Sequence, residues 1–415
     1  MEKFFAEWLA RLEAEPEKLS ELLLAAEEEF VRAGYRKEIS AGVENILIVR
    51  LDRIGDMFLT SGFIREIRAN FPRARITLVC MPQVFSVVEL CPYVNEVLTF
   101  DRNALSPEMP AMFEQVITFC REKLWRRCFS MALLPQWGAN NFPGLLIAWL
   151  SGARERIGYC HKPYISWVGE PAPAEMAIDN FLLTKNVVSP RSAVAEIQKH
   201  YYLLTAMGLP INRDNVELFY GTADVLKARE LLRGVAGKKV ILGIGAGDPN
   251  RKYPAEKFLP ALKVLAAKDL CFVIVGGQAE LDDANLIEHN LPRGKVLNLA
   301  GKTTLRETEA VIAQADYYVG TDSGVMHMAA ASKIPCLVLY REAQDKEDYL
   351  PGAFSEYGRF PPWQTKSVIL RPDHPLPECE AKGETYGWCH SDEPHCITQI
   401  EPQEIVDGFA ALEKQ

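Results

Sequence analysis

The chain has 415 residues, enough for two or three domains at roughly 100 to 200 residues each. Its 48 % hydrophobic and 24 % charged residues are the mix of a globular protein with a sizeable core, which excludes global disorder. Lys and Arg number 46 against 55 Asp and Glu, and the formal charge of −9 argues against broad contact with nucleic acid or anionic lipid, so any phosphate chemistry has to be local. No apolar run reaches the roughly 18 to 20 residues of a membrane-spanning helix; the best candidate, 142–150, is far too short. The first residues lack a basic start followed by an apolar stretch, so a cytoplasmic protein is expected. Cys80, Cys271 and Cys336 fall inside strand-like runs and read as buried thiols rather than disulfides.

In chain order, Phe5, Trp8, Leu9 and Leu12, then Leu19, Leu22, Leu23, Ala26 and Phe30, predict two amphipathic helices separated near Pro16. This helical extension, 1–41, is expected to pack on its own domain or on a sister subunit. At Ile46-Leu-Ile-Val49 the texture changes to a continuous aliphatic run, the pattern of a parallel strand buried on both faces. A helical period through Phe58, Leu59, Phe63, Ile64 and Ile67 and a strand at 75–80 complete a βαβ unit. Strands at 94–100 and 129–134 around a helix at 109–125 continue the alternation, and a helix at 195–207 ends at Gly208-Leu-Pro210. Residues 135–180 resist assignment.

A second series starts at Lys239-Val-Ile-Leu-Gly-Ile-Gly245. Strands at 271–275, 296–299, 317–319 and 336–340 alternate with helices at 255–267, 282–289, 305–315 and 325–331. The segment 340–377, rich in Pro, charge and aromatic residues, reads as a surface excursion, and a helix at 402–412 closes the chain. The division is a first Rossmann-like domain at 42–232 and a second at 233–415, with the last helix able to return to the first.

Ligands of open α/β sheets bind beyond the carboxyl ends of the strands, so the loops after strands are where chemistry is sought. The first is Arg50-Leu-Asp-Arg-Ile-Gly-Asp56: Gly55 permits a tight turn, Arg50 and Arg53 lie close together, and Asp56 is either a helix cap or a general base. The second runs Gly243-Ile-Gly-Ala-Gly-Asp-Pro-Asn-Arg-Lys-Tyr-Pro254. Small residues Gly245, Ala246 and Gly247 let a ligand approach the backbone, and Arg251 and Lys252 add charge; the alternative is a plain turn with a solvated basic pair. It matches neither a P-loop nor the dinucleotide fingerprint. The third, Val319-Gly-Thr-Asp-Ser-Gly-Val-Met-His327, again leads a strand into a helix, with Thr321, Asp322, Ser323 and Gly324 placed to meet an anion or sugar hydroxyls and His327 one turn on, unless His327 is simply a satisfied core histidine. In the fourth, Gly276-Gly-Gln-Ala-Glu280, the acid is either a ribose ligand or a surface glutamate.

Taken in order, Arg50-x₄-Gly55-Asp56, the Gly-Ala loop running to Lys252-Tyr-Pro254, Gly277-x-x-Glu280 and Asp322-Ser-Gly-x-x-His327 resemble the heptosyltransferase family, glycosyltransferase family 9, over about residues 43–412. The resemblance implies an α/β fold of GT-B type: two Rossmann-like doubly wound domains facing a central cleft, with the N-terminal helices outside it. It also implies an inverting, metal-independent glycosyltransferase that moves a heptose-type sugar from a nucleotide diphosphate, ADP first, to a lipopolysaccharide or other surface-glycan acceptor, with no cofactor. Asp56 is then the general base and Lys252 the cation on the departing diphosphate. Gly245, Ala246, Gly247, Glu280, Thr321, Asp322, Ser323, Gly324 and His327 bind the donor, with Glu280 on the ribose and Asp322 on the sugar, while Arg50, Arg53 and Gly55 lie on the acceptor side. The chain departs from the family at Tyr253, where Trp is usual, and at Gly62, where Pro is usual. The partners implied are the donor and a glycan or glycolipid acceptor, with no nucleic acid; peripheral membrane contact and self-association through the N-terminal helices are left open.

Cys379, Cys389, His390, His395 and Cys396 gather metal-type ligands in one stretch, but paired Cys-x₂₋₄-Cys spacing is absent, so loop packing is preferred to a metal site. The rival readings are a sugar-nucleotide epimerase of similar build and a degenerate nucleotide-sugar-binding scaffold.

Overall fold

The computed structural model describes residues 16–32, 44–137, 142–159, 182–190, 192–344, 355–377, 391 and 393–415. They form two compact units. One holds the described residues up to Arg53 together with Gly62–Asp214, the other Ile54–Ser61 together with Asn215–Gln415.

The first unit is built on a six-stranded, all-parallel sheet: β1 Asn45–Arg50, β2 Arg75–Cys80, β3 Glu96–Thr99, β4 Met131–Leu134, β5 Glu155–Tyr159 and β6 Lys185–Val187, in the order β3-β2-β1-β4-β5-β6. The aliphatic run predicted as a doubly covered strand is central: Ile46 faces Ile76 on one side and Met131 on the other, and Ile46, Leu47 and Ile48 are wholly buried. The stretch 135–180, unreadable in sequence, contains helix Phe142–Leu150 and strand β5. That helix is apolar all round, so it has no stripe for periodicity to find.

Of the predicted N-terminal helices, the first lies outside the described residues, and the second is helix α1, Pro16–Arg32. Its Leu23, Ala26 and Phe30 are buried on the first unit. Phe30 meets Trp125 edge-on at 5.4 Å, and its ring fills the space a Cβ of Gly152 would take, at a position with φ of 73°. Glu29 pairs with Arg121 at 2.9 Å.

The second unit repeats the plan with β7 Lys238–Gly243, β8 Leu270–Val275, β9 Val296–Asn298, β10 Tyr317–Thr321, β11 Cys336–Leu339 and β12 Ser367–Leu370, again all parallel, in the order β12-β11-β10-β7-β8-β9. Strand β12 corrects the reading of 340–377 as a mere excursion: Cys336 to Leu339 register against Ser367 to Leu370. Four residues in a proline-rich context carry too little periodic signal to stand out. The last helix, Pro402–Lys414, buries Ile405, Phe409 and Leu412 against this same sheet's flank and the helix Ala255–Leu265. The second unit takes in the chain from Asn215 onward, so the position 232/233 expected as the domain boundary lies inside it. Helix Thr222–Leu231 packs on helix Leu305–Ile312, so the element after the linker sides with the domain that follows it.

Cys80, Cys271 and Cys336 are buried thiols, as expected, and so is Cys120. Burial pushes the Cys80 thiol up to about 12 and raises those of Cys120, Cys271 and Cys336.

Candidate active site

In a doubly wound sheet the strand order reverses at one point, and there the two flanking loops diverge and leave a crevice. In the second unit that point lies between β7 and β10, whose Gly243 and Gly320 are in register. The loops leaving these strands are 244–254 and 322–323, two of the four singled out in the sequence. Gly320 is required there, because an added Cβ would strike the Gly243 carbonyl and the Tyr318 hydroxyl.

The two loops are joined by charge. Nη1 of Arg251 lies 3.2 Å from Oδ2 of Asp322, its Nη2 2.9 Å from Asp248 and its Nε 3.5 Å from Glu356. Asp322 is 4 % exposed, and burial pushes its carboxyl up to about 7 against the opposing pull of Arg251. Glu356 also accepts from Nε of Arg341 at 2.8 Å, and a second Arg341 nitrogen donates to Asn250, whose own Nδ2 reaches the Ser391 carbonyl at 2.7 Å. Glu356 belongs to a short helix, Glu356–Arg359, inside the stretch read from sequence as surface. Nothing local in its sequence marks it, because its partners come from loops 15 to more than 100 residues away.

Helix Gly324–Ala331 starts at Ser323, which is extended at φ −158° and makes no side-chain cap bond. The first N–H groups of a helix have no partner within it, so this end is suited to an anion. Thr321 is fully buried, its hydroxyl donating to the Gly245 carbonyl at 3.2 Å. His327 is 5 % exposed, its Nδ1 has no partner, and its Nε2 sits 3.9 Å from Asp322. Burial pulls its imidazole down to about 4, so it is neutral near pH 7.

Asp56 is the third residue of the helix Ile54–Asn70, not its cap; the cap position is Arg53, and Asp56's carbonyl accepts from the Thr60 hydroxyl at 2.7 Å. The capping alternative for Asp56 is therefore not what the chain adopts. Residues 54–61 group with the second unit, and the Asp56 charge acts on Arg251, Asp322 and His327. Gly55 lies against the His327 ring, where a Cβ would stand 3.1 Å from Cδ2.

Lys252 points elsewhere: its ammonium is 3.5 Å from Glu280, whose other oxygen accepts the Gly277 N–H at 2.8 Å. Gly245 stands beside this Glu280 carboxylate, while Ala246 is half-buried and Gly247 exposed. The structure thus gathers Asp56, Asp322 and His327 around Arg251, and Lys252, Glu280 and Gly245 in a neighbouring group.

The residues assigned to the acceptor side divide. Arg53 is exposed, but Arg50 is 1 % exposed, paired with Asp52 at 3.2 Å and Glu196 at 3.2 Å. Asp52 further accepts from Gln136 at 2.9 Å and Arg102 at 3.4 Å, so these residues link the ends of β1, β3 and β4 at the first sheet's own reversal point. Arg50 is thus buried and ion-paired there. As to metal, no group of three or more His, Cys, Asp or Glu among the described residues could hold one. Cys379, Cys389 and His390 lie outside the described residues, and of the others Cys396 Sγ is 3.4 Å from His395 Nδ1.

The family model for Glycosyltransferase family 9 (heptosyltransferase) matches residues 160–384, more than half of the chain. The chain belongs to glycosyltransferase family 9. Among its relatives, lipooligosaccharide heptosyltransferase 2 of Haemophilus influenzae is 23 % identical over 315 residues, 71 % of this chain and 83 % of that one. Lipopolysaccharide heptosyltransferase 3 of Escherichia coli is 24 % identical over 293 residues, 69 % and 80 % respectively. Among solved structures, the family 9 glycosyl transferase of Veillonella parvula superposes with a TM-score of 0.68 at 17 % identity, covering 89 % of this chain and 97 % of that one. The E. coli ADP-heptose LPS heptosyltransferase II gives 0.63 at 19 %, covering 89 % and 100 %. This family 9 member is therefore a glycosyltransferase with the two-sheet GT-B build, as the motifs implied.

Proposed function

We propose that the chain transfers a heptose-type sugar, with inversion, from a nucleotide diphosphate sugar to a lipopolysaccharide or other surface-glycan acceptor at the cytoplasmic face of the membrane, with Asp56 as general base and no metal. ADP-heptose is the first donor to test, since heptosyltransferases recur among the relatives and one solved neighbour is the E. coli ADP-heptose LPS heptosyltransferase II. The observation that carries the reading is the Arg251–Asp322 pair at the strand-reversal point of the second sheet, within the field of Asp56, whose neighbour Gly55 lies against His327. There a base and a fixed cation serve the two ends of one displacement.

The donor diphosphate is received by the end of the helix Gly324–Ala331 and the cations of loop 249–252, its ribose by Glu280 and its sugar hydroxyls by Asp322. The acceptor oxygen bonds to the anomeric carbon as that carbon's bond to the β-phosphate oxygen breaks. The electron pair leaves with the diphosphate, and the acceptor proton passes to Asp56. One negative charge thus vanishes at Asp56 while one appears on the diphosphate. Asp56→Asn should lower kcat by about 10²- to 10⁴-fold while ADP still raises the melting temperature. The assay is ADP release from ADP-heptose with heptose-deficient lipopolysaccharide, with and without EDTA; undiminished turnover in the variant rejects the base, and loss in EDTA rejects metal independence.

A further inference from the structure

Loop 249–252 offers two adjacent cations, and the family resemblance implies Lys252 as the one on the diphosphate. Arg251 is the last residue of the short helical turn Pro249–Arg251 and Lys252 is extended just after it, and the two serve different neighbours. Lys252 turns to Glu280 and, through it, to the Gly277 N–H, which is the ribose side of the site in the proposed reading. Arg251 turns to Asp322, the residue immediately before the Ser323 end of the helix Gly324–Ala331, and lies in the field of Asp56.

We infer that Arg251, rather than Lys252, is the cation that meets the β-phosphate of the departing nucleotide diphosphate, and that Lys252 acts on the ribose and α-phosphate side through Glu280. The assignment rests on the nucleotide-diphosphate reading above.

Three features support it. Arg251 is fixed from three sides, by Asp248, Asp322 and Glu356, and Glu356 is itself held by Arg341, so the guanidinium is pre-placed rather than recruited. A guanidinium has five N–H donors and keeps its charge at any working pH; here Nη1 donates to Asp322 at 3.2 Å, while the buried Nε makes no hydrogen bond, so donors are left over for an incoming oxyanion. Finally, the charge that leaves Asp56 in the displacement reappears on the diphosphate, so a cation in the field of Asp56 is attracted to charge at both ends of the reaction, in ground state and transition state alike. Lys252, bound to Glu280, is held on the other side of the loop.

Binding by the full-length chain, with no acceptor present, tests the division. Dissociation constants are measured calorimetrically for ADP and AMP, and likewise for UDP with UMP and GDP with GMP, and the preferred pair is carried forward. Arg251→Met should weaken the diphosphate by about ten- to a hundred-fold and the monophosphate by less than about three-fold, because only the diphosphate carries the group that Arg251 meets. Lys252→Met should weaken both alike. Arg251→Lys, which keeps the charge among the three carboxylates and so protects folding, should keep only part of the diphosphate preference, since an ammonium lacks the planar fork. If Lys252→Met erases the preference for the diphosphate while the Arg251 variants retain it, the assignment is overturned. If the wild-type chain binds none of the diphosphates, the nucleotide reading itself falls, and this assignment with it.

Discussion

Glu309 offers a quantitative check on the electrostatics of the second unit. It is wholly buried in the helix Leu305–Ile312, its Oε2 accepts the Phe219 N–H at 3.1 Å, and its Oε1 has no hydrogen-bond partner. Burial, reinforced by Asp224 and opposed by Arg306 and the Phe219 N–H, pushes its carboxyl from the ordinary 4.5 up to about 8. The Tyr220 phenol is raised by burial and, in addition, by Glu309. Between those two pH values the folded chain keeps a proton that the unfolded chain releases, so stability falls as pH rises through the window and is independent of this group on either side of it. At about 1.4 kcal/mol per pH unit, the gap sets an upper bound of about 5 kcal/mol. Glu309→Gln keeps an acceptor for Phe219 and cannot ionise. Urea denaturation at pH 5, 7 and 9 should show wild type and variant close together at pH 5 and the variant more stable by several kcal/mol at pH 9. A wild-type-to-variant difference that stays constant across the three pH values would refute the reasoning.

Two further expectations concern the first unit. Glu196→Ala strips Arg50 of its fully buried carboxylate partner, leaving the partly exposed Asp52, and removes the His200 neighbour at 3.7 Å. The loss should be about 3 to 5 kcal/mol in urea denaturation, and a loss under about 1 kcal/mol would show that the pair is not structural. Gly152→Ala places a methyl into the Phe30 ring at a left-handed backbone position, costing about 1 to 2 kcal/mol for the backbone alone. It should release α1 from its seat, read as faster tryptic cleavage within 16–32; unchanged cleavage would mean that α1 is held by other contacts.

The parts of this protein that are legible in its sequence are those where one physical requirement dominates a contiguous run. Strand β1 announces itself because a strand covered on both faces must be apolar throughout, and helix Ala255–Leu265 because its Phe258, Ala261, Leu262 and Leu265 face one core. Strand β6, with the sequence Lys-Asn-Val at a sheet edge, meets no such requirement, and neither does β12. The site divides in the same way. Asp56, Glu280 and Asp322 lie where a strand passes into a helix, in the connection or in its first turn, so connectivity alone places them at the carboxyl ends of the strands. The partners of Arg251 are set by tertiary structure: Glu356 arrives from a stretch with no local signature, and the divergence of Arg251 from Lys252 depends on side-chain direction that spacing does not encode. Arg50 is a case where spacing says nothing of environment: its pairing with Asp52 and Glu196 becomes visible only in the fold.

The cysteines give the molecule an internal clock. A thiol reacts as its thiolate, and burial both covers Cys80 and Cys120 in the first unit and Cys271 and Cys336 in the second and raises their thiols, so none of the four is open to alkylation while its surroundings are intact. Modification of each must wait for the surrounding strands to part. The order in which the two pairs are labelled, read peptide by peptide against the half-buried Cys128, therefore times the opening of each unit separately within one unaltered chain.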